Sequence, residues 1–296
     1  MSDAGSMIEL IGVESGLGAL DTRCEAGPGA LRDAGLSARL REAGMESHWQ
    51  FFQPEPFSGV PESPTAVIAE LCQRLSRHVE IIVRSKQRFA VIGGDHSCAV
   101  GTWSGVNNAL TGAALGLLWI DAHMDSHTPR TTPSGAVHGM PLAALLGEGD
   151  ALLTHLAGPA PKLKPEHVCI FGVRSFEPEE QVLLASKAVK VITMDRIHQQ
   201  GLDEAFNDAL AWVRRETGGY GISIDLDAVD PQDAPGVGSP VPGGLEAGAL
   251  CRVLQACRHH TDLVGMEIVE FNPDRDVGGR TATVVGDLLI AAMGRR

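Results

Sequence analysis

The chain has 296 residues, 44% hydrophobic and 21% charged, an ordinary globular composition with enough length to bury a sizeable core. A formal net charge of −13 argues against a nucleic-acid partner, which needs a basic surface. Gly, Pro or charge breaks every apolar run short of the ~18–20 residues of a membrane span, and Met1–Ser6 lacks the pattern of a signal peptide, so a cytoplasmic protein is expected.

Short apolar runs alternate with longer amphipathic stretches along the chain. Strands are predicted over Ile8–Val13, Phe89–Ile92, Leu115–Ile120, Val168–Val173, Val189–Met194, Tyr220–Ile224 and Val264–Val269. Helices are predicted over Pro64–Ser85, Pro141–Leu146, Asp203–Thr217 and Glu246–His260. Near-continuous apolar strands alternating with helices indicate a parallel sheet covered on both faces. No repeat of fixed period and no Ser- or Pro-rich linker divides the sequence, so residues 1–296 read as one α/β domain. Six cysteines (Cys24, Cys72, Cys98, Cys169, Cys251 and Cys257) form no C-x-x-C pair and read as reduced, mostly buried thiols.

Three strand candidates end in residues that carry chemistry. The run Leu115–Ile120 is followed by Asp121, His123 and Asp125, spaced by two, so that in extended chain all three side chains face one way. Tyr220–Ile224 is followed by Asp225 and Asp227, and Phe89–Ile92 by Gly93-Gly-Asp-His96. In open α/β sheets ligands bind outside the carboxyl ends of the strands, where residues remote in sequence meet. Four carboxylates and two imidazoles converging there need compensating cations. They are too many for one ordinary zinc site, and the oxygen-rich set points to two Mn²⁺ ions. Two such ions about 3.5–4 Å apart would acidify a shared water and make a nucleophile at neutral pH. Cys98, beside His96, reads as a small core residue rather than a ligand, and His259-His260 as a solvated helix end.

Together these motifs resemble the ureohydrolase (arginase/agmatinase) family, most closely its arginase branch. The matching segments are Gly93-Gly-Asp-His-Ser97, Asp121-Ala-His-Met-Asp125, Ser134-Gly-Ala-Val-His-Gly-Met-Pro141, Ser223-Ile-Asp-Leu-Asp227 with Asp230-Pro231, and Glu270-Phe-Asn-Pro273. The resemblance implies a three-layer α/β/α sandwich around a mostly parallel sheet, holding two Mn²⁺ per chain, with Ni²⁺ or Co²⁺ as substitutes. One ion would take His96 and Asp125, the other His123 and Asp227, with Asp121 and Asp225 contacting both. The implied reaction splits a guanidinium into urea and an amine, L-arginine giving L-ornithine. Asp125 would pass a proton to the departing amine, His138 would shuttle protons, and Glu270 would hold the guanidinium by paired hydrogen bonds. Asp95 and Asp230 are assigned supporting roles. The family also implies a homo-oligomer, trimeric or hexameric.

The recognition loop departs from the arginase pattern. His127 and Ala136 stand where arginases commonly carry Asn to read the substrate α-carboxylate, whereas Ser134 is retained. Glu177, with Glu180 nearby, stands for the usual α-amino acceptor Asp, Ser239 for the usual Thr, and Arg130 could add a cationic contact. Polar pockets discriminate strongly, so a guanidino acid, agmatine or free guanidine is the alternative substrate. Two readings of other kinds are a one-zinc deacetylase-like hydrolase and a non-catalytic member acting as a partner or regulatory subunit.

Overall fold

The computed structural model describes residues 7–55 and 63–294. Its centre is a single eight-stranded sheet, parallel throughout: β1 (Ile8–Val13), β2 (Ser47–Phe52), β3 (Arg88–Gly93), β4 (Leu115–Ile120), β5 (Val168–Val173), β6 (Lys190–Thr193), β7 (Gly219–Asp225) and β8 (Leu263–Val269). The strand order is β2-β1-β3-β8-β7-β4-β5-β6. The helices of eight or more residues are α1 (Pro64–Arg84), α2 (Ala99–Ala109), α3 (Pro178–Ser186), α4 (Leu202–Arg214), α5 (Ala247–Leu254) and α6 (Arg280–Met293).

Alternation along each strand sends side chains to opposite faces, and two apolar clusters follow from it. Leu118 and Ile120 pack with Phe206 of α4, Leu250 of α5 and Leu288 of α6. Leu117 and Trp119 pack on the other face with Leu71 and Leu75 of α1 and Trp103 of α2. The result is the expected α/β/α sandwich around a parallel sheet.

All seven predicted strands form, three of them with the predicted limits. β2 was not foreseen. Among the described residues it pairs only with β1, and its Ser-His-Trp-Gln-Phe-Phe sequence starts by alternating half-buried and exposed positions, so no continuous apolar run marks it. α2 was missed for another reason. Its Ala-Val-Gly-Thr-Trp-Ser-Gly segment is poor in strong helix formers, yet it is buried throughout its first two turns. Gly101 and Gly105 let it approach α1 closely: a Cβ on Gly101 would lie 2.7 Å from the Cys72 carbonyl oxygen, and one on Gly105 would strike that of Ser76. The predicted Glu246–His260 helix is shorter than expected, ending at Leu254 and continuing as a 3-10 turn, Gln255–His259.

The strand order places the ends of β3, β8, β7 and β4 side by side. These ends precede His96, Glu270, Asp227 and Asp121, so four segments remote in sequence deliver their polar residues to one crevice.

Candidate metal centre and its cleft

The six side chains singled out as ligands converge at this crevice. His96 Nδ1 lies 3.0 Å from Asp125 Oδ2, 3.3 Å from Asp225 Oδ2 and 3.4 Å from Asp121 Oδ2. His123 Nδ1 lies 3.0 Å from Asp227 Oδ2 and 3.6 Å from Asp121 Oδ1. Two groups able to hold a cation result, His96 with Asp121 and Asp225, and His123 with Asp121 and Asp227, sharing Asp121. Asp125 joins the first through its contact with His96.

Each side chain is aimed by its surroundings. Asp121 Oδ1 accepts from the His123 N–H at 2.7 Å, and its Oδ2 from Trp119 Nε1 at 2.9 Å. Trp119 also stacks on the His96 ring, with centroids 4.1 Å apart and planes 11° apart. Asp225 Oδ1 accepts from the Asp227 N–H, and Asp227 Oδ1 from the Ala122 N–H, so the ends of β7 and β4 are tied together. On its far side His96 Nε2 meets Ser223 Oγ at 2.9 Å. Ser223 donates to Glu267 Oε2, a fully buried carboxylate that also accepts from Thr102 and from Trp103 Nε1.

The electrostatics show which charge the centre favours. Burial, with repulsion from Asp227 and Asp121, pushes the Asp225 carboxyl well above its usual range, and burial with Asp121 does the same to Asp125. Burial opposes charge on His96 and His123. The carboxylates Asp121, Asp125 and Asp225 outweigh it at His96, and Asp227 and Asp121 at His123, whose pKa rises to about 12. His96 Nδ1 and Asp125 Oδ2, though 3.0 Å apart, are both buried without a hydrogen-bond partner. An imidazole nitrogen and a carboxylate oxygen buried without hydrogen-bond partners among the described residues, amid oxygen-rich neighbours, fit hard-to-borderline divalent cations.

Two carboxylates here take a backbone conformation that side chains usually avoid. Asp125 has φ 47° and Glu270 φ 68°, both left-handed. Such residues cost about 1–3 kcal/mol each and concentrate at functional sites.

Above the centre opens a cleft of about 440 Å³, lined by His123, Asp125, Asp225 and Asp227 at its floor and by His127, Ser134, Ala136, His138, Glu177, Glu180, Ser239 and Glu270 on its walls. His138 Nδ1 sits 2.9 Å from Glu270 Oε1, which also accepts from the His96 N–H at 3.0 Å. Burial disfavours the charged His138 imidazole, but Glu270 outweighs it and raises its pKa to about 10.

A profile described as the arginase family matches residues 6–294. The chain belongs to the arginase family. It is 35% identical over 303 residues to an arginase from Bacillus caldovelox, with 98% of each chain covered. An arginase from Brevibacillus brevis is 37% identical over 292 residues, with 97% of each covered. A crystal structure of arginase from Bacillus subtilis superposes with a TM-score of 0.89 at 34% identity, covering 98% of this chain and 99% of that one. This arginase-family chain is a hydrolase, of a family that works with two metal ions.

Not every recognition residue lies as the sequence suggested. His127, at a position where arginases read the α-carboxylate, has its ring engaged on both sides: Nε2 with Glu177 Oε2 at 3.1 Å and Nδ1 with Thr131 Oγ1 at 3.2 Å. Glu180 is buried, accepting from the Ser126 and Glu177 N–H groups at the start of α3, so it holds the wall together. Arg130 faces a separate depression with Glu148 and Val182, away from the cleft. Asp95 accepts from the Gly18 and Ser97 N–H groups and Asp230 from those of Gln232, Gly243 and Gly244, the supporting roles expected. Cys98 approaches Glu267, outside the centre. His260 is not merely solvated: its Nδ1 meets the Tyr220 hydroxyl at 2.7 Å. The sequence reading missed Trp119, Ser223 and Glu267 as partners of the centre. All three sit in strands and look like core filler until strand register sets them behind Asp121 and His96.

Proposed function

We propose that this chain hydrolyses L-arginine to L-ornithine and urea using two Mn²⁺ ions, held by His96, Asp121, His123, Asp125, Asp225 and Asp227. The observation that carries this reading is the convergence of these six side chains beneath a cleft that also presents His138 and Glu270. Arginases from Bacillus caldovelox and Brevibacillus brevis match over nearly their full length and support the substrate.

When bound, the two cations acidify water and so supply a hydroxide nucleophile near neutral pH. The chain's own groups do the rest. Glu270, with Oε1 held by His138 and the His96 N–H, turns Oε2 toward the Gly238 wall, where a planar guanidinium can dock. Asp125 is buried with an elevated pKa, suited to holding a proton and releasing it to a departing amine. His138, at the cleft wall and partly exposed, moves protons to solvent. Ser134 and Ser239 on the outer wall, with Glu177, meet the α-substituents.

A second reading keeps the reaction and changes the substrate. The His127–Glu177 pair and the bare Ala136 methyl leave the outer wall short of carboxylate donors, which favours a guanidino compound without a carboxylate, such as agmatine or free guanidine. The single-domain reading of residues 1–296, a trimer or hexamer, and a cytoplasmic location complete the proposal. The family match over residues 6–294 supports the first. Among the described residues no helix is long and apolar enough to cross a membrane.

Urea release tests the proposal directly, with arginine, agmatine, guanidinobutyrate, guanidinopropionate and guanidine supplied after preincubation with Mn²⁺ or Ni²⁺. Arginine is expected to give the highest kcat/KM. No urea from any compound would overturn the reaction class, and a clear preference for another compound would overturn the substrate.

A further inference from the structure

Arg174 stands just past the end of β5 and has no role in the chemistry described above. Its guanidinium is half-buried beside the acidic centre, yet among the described residues it forms no ion pair. Instead, every N–H group of its fork is directed at backbone carbonyls. Nη2 donates to Asp227 O at 2.6 Å and to Val241 O at 2.7 Å. Nη1 donates to Ala228 O at 3.2 Å and Gly172 O at 3.3 Å, and Nε to Val241 O and Pro242 O at 3.3 Å each. Burial lowers its pKa, while Asp227, Asp121, Asp230 and Asp225 favour the charge. Only a planar five-donor fork can serve this many acceptors from one point, and a lysine ammonium cannot.

Four of the five carbonyls it gathers belong to two functional segments. Asp227 and Ala228 lie at the end of β7, next to the floor of the cleft. Val241 and Pro242 end the loop whose Gly238 and Ser239 line the cleft wall. The other end of that loop is held by Arg275, which donates to Gly238 O at 2.9 Å, so Ser239 is suspended between two arginines. The backbone of Arg174 adds a third connection: its N–H donates to Ala122 O at 2.9 Å, between Asp121 and His123. Ala122 in turn donates its N–H to Asp227 Oδ1. Gly172 makes the approach possible. It has φ 100°, sits where the β5–β6 register shifts, and would bring a Cβ within 3.3 Å of Asp121 O. Gly244 packs against the guanidinium so closely that a Cβ there would lie 2.6 Å from Nη2.

We infer that Arg174 is a positioning residue that fixes the His123–Asp227 half of the metal centre and the Ser239 wall of the cleft as one unit. The inference rests on the proposed two-metal hydrolase reading. It distinguishes the two halves of the centre, because Arg174 reaches the segments of His123 and Asp227 and makes no hydrogen bond to His96, Asp125 or Asp225.

The test compares wild type, Arg174→Lys and Arg174→Gln by calorimetric Mn²⁺ titration of the metal-free chains, by steady-state kinetics, and by amide exchange over residues 236–244. Wild type should bind two equivalents. In both variants one equivalent should weaken by roughly 10–100-fold, the usual effect of losing an outer-shell partner, while the other stays within about twofold. KM should rise more than kcat falls, and exchange over 236–244 should accelerate even without metal. Lysine keeps the charge, so failure of Arg174→Lys to restore binding would identify the fork as the operative feature.

Wild-type affinity at both equivalents with unchanged exchange would overturn the inference. Equal weakening of both equivalents together with a lowered melting temperature would also overturn it, showing a general fold defect. If Arg174→Gln does not fold, Arg174→Lys carries the same outcomes. A wild-type chain that binds no Mn²⁺ and releases no urea would instead overturn the hydrolase reading, and this inference with it.

Discussion

Ser223 Oγ lies 2.9 Å from His96 Nε2 and 2.8 Å from Glu267 Oε2, and its single proton points at the glutamate. The serine must therefore accept from His96, which fixes the imidazole with hydrogen on Nε2 and turns Nδ1 toward Asp121, Asp125 and Asp225. A buried glutamate three contacts away sets which nitrogen faces the centre. Replacing Ser223 by Ala removes the acceptor and frees the ring. Mn²⁺ affinity of one equivalent should fall roughly 10–100-fold, measured by calorimetry. An unchanged isotherm would remove Ser223 from the design of the site.

The metal-free chain should lose stability as pH rises above neutrality. His138 has its pKa raised from 6.5 to about 10, with Glu270 overcoming burial, and His123 is raised to about 12 by Asp227 and Asp121. A group whose pKa is higher folded than unfolded binds its proton more tightly in the native state. Its contribution is complete below the unfolded value near 6.5 and disappears as pH climbs through the folded one. Urea denaturation of the metal-free chain at pH 7, 8 and 9 should give steadily falling unfolding free energies. A flat or rising profile would contradict the His138–Glu270 and His123–Asp227 assignments. Cation binding must displace the proton of His123, so Mn²⁺ affinity should rise over the same interval with measurable proton release.

Asp125 combines a left-handed backbone, burial and like-charge neighbours, a costly arrangement that function would justify. Asn tolerates positive φ and carries no charge. Asp125→Asn should lower kcat by at least about 10²-fold, within the range for a lost acid–base group. In the metal-free state it should also raise the melting temperature, by roughly 2–4 °C for each ~1 kcal/mol of relieved repulsion. A variant that keeps full turnover would refute the catalytic role, and one that melts lower would refute the account of strain.

The fold and the six clustered side chains were legible in the sequence because strand geometry makes them so. Three apolar runs that each end in Asp or His can meet only at the carboxyl edge of a parallel sheet, although Asp121, His123 and Asp125 converge there through a bend at Ala122–His123 and a left-handed Asp125 rather than through the extended chain their spacing suggested. What escaped depends on tertiary register. Nothing local distinguishes Trp119 or Glu267 from other strand residues, and their contacts with Asp121 and Ser223 arise only when β4, β7 and β8 lie side by side. Arg174 gave no signal of its role, because its five acceptors are carbonyls and carbonyls carry no sequence signal. The edge strand β2 was hidden by its half-exposed alternation. His127 was legible as a departure, yet its engagement with Glu177 and Thr131 required coordinates.

That engagement bears directly on the substrate. With both ring nitrogens of His127 occupied and Ala136 offering only a methyl, Ser134 is the remaining hydroxyl on that part of the wall, and it already accepts from the Ala136 N–H. Ala136→Asn restores an amide donor where the family pattern has one. A net hydrogen bond is worth about 0.5–1.5 kcal/mol, so KM for L-arginine should fall by roughly 2–12-fold. Agmatine has no α-carboxylate to receive the new donor, so its KM should not move, and it serves as the internal control. Parallel shifts for both compounds would mean that the substitution alters the cleft in general. An arginine KM that does not respond would mean that the carboxylate lies elsewhere, and that the His127–Glu177 pair has rebuilt this end of the pocket for a different guanidino substrate.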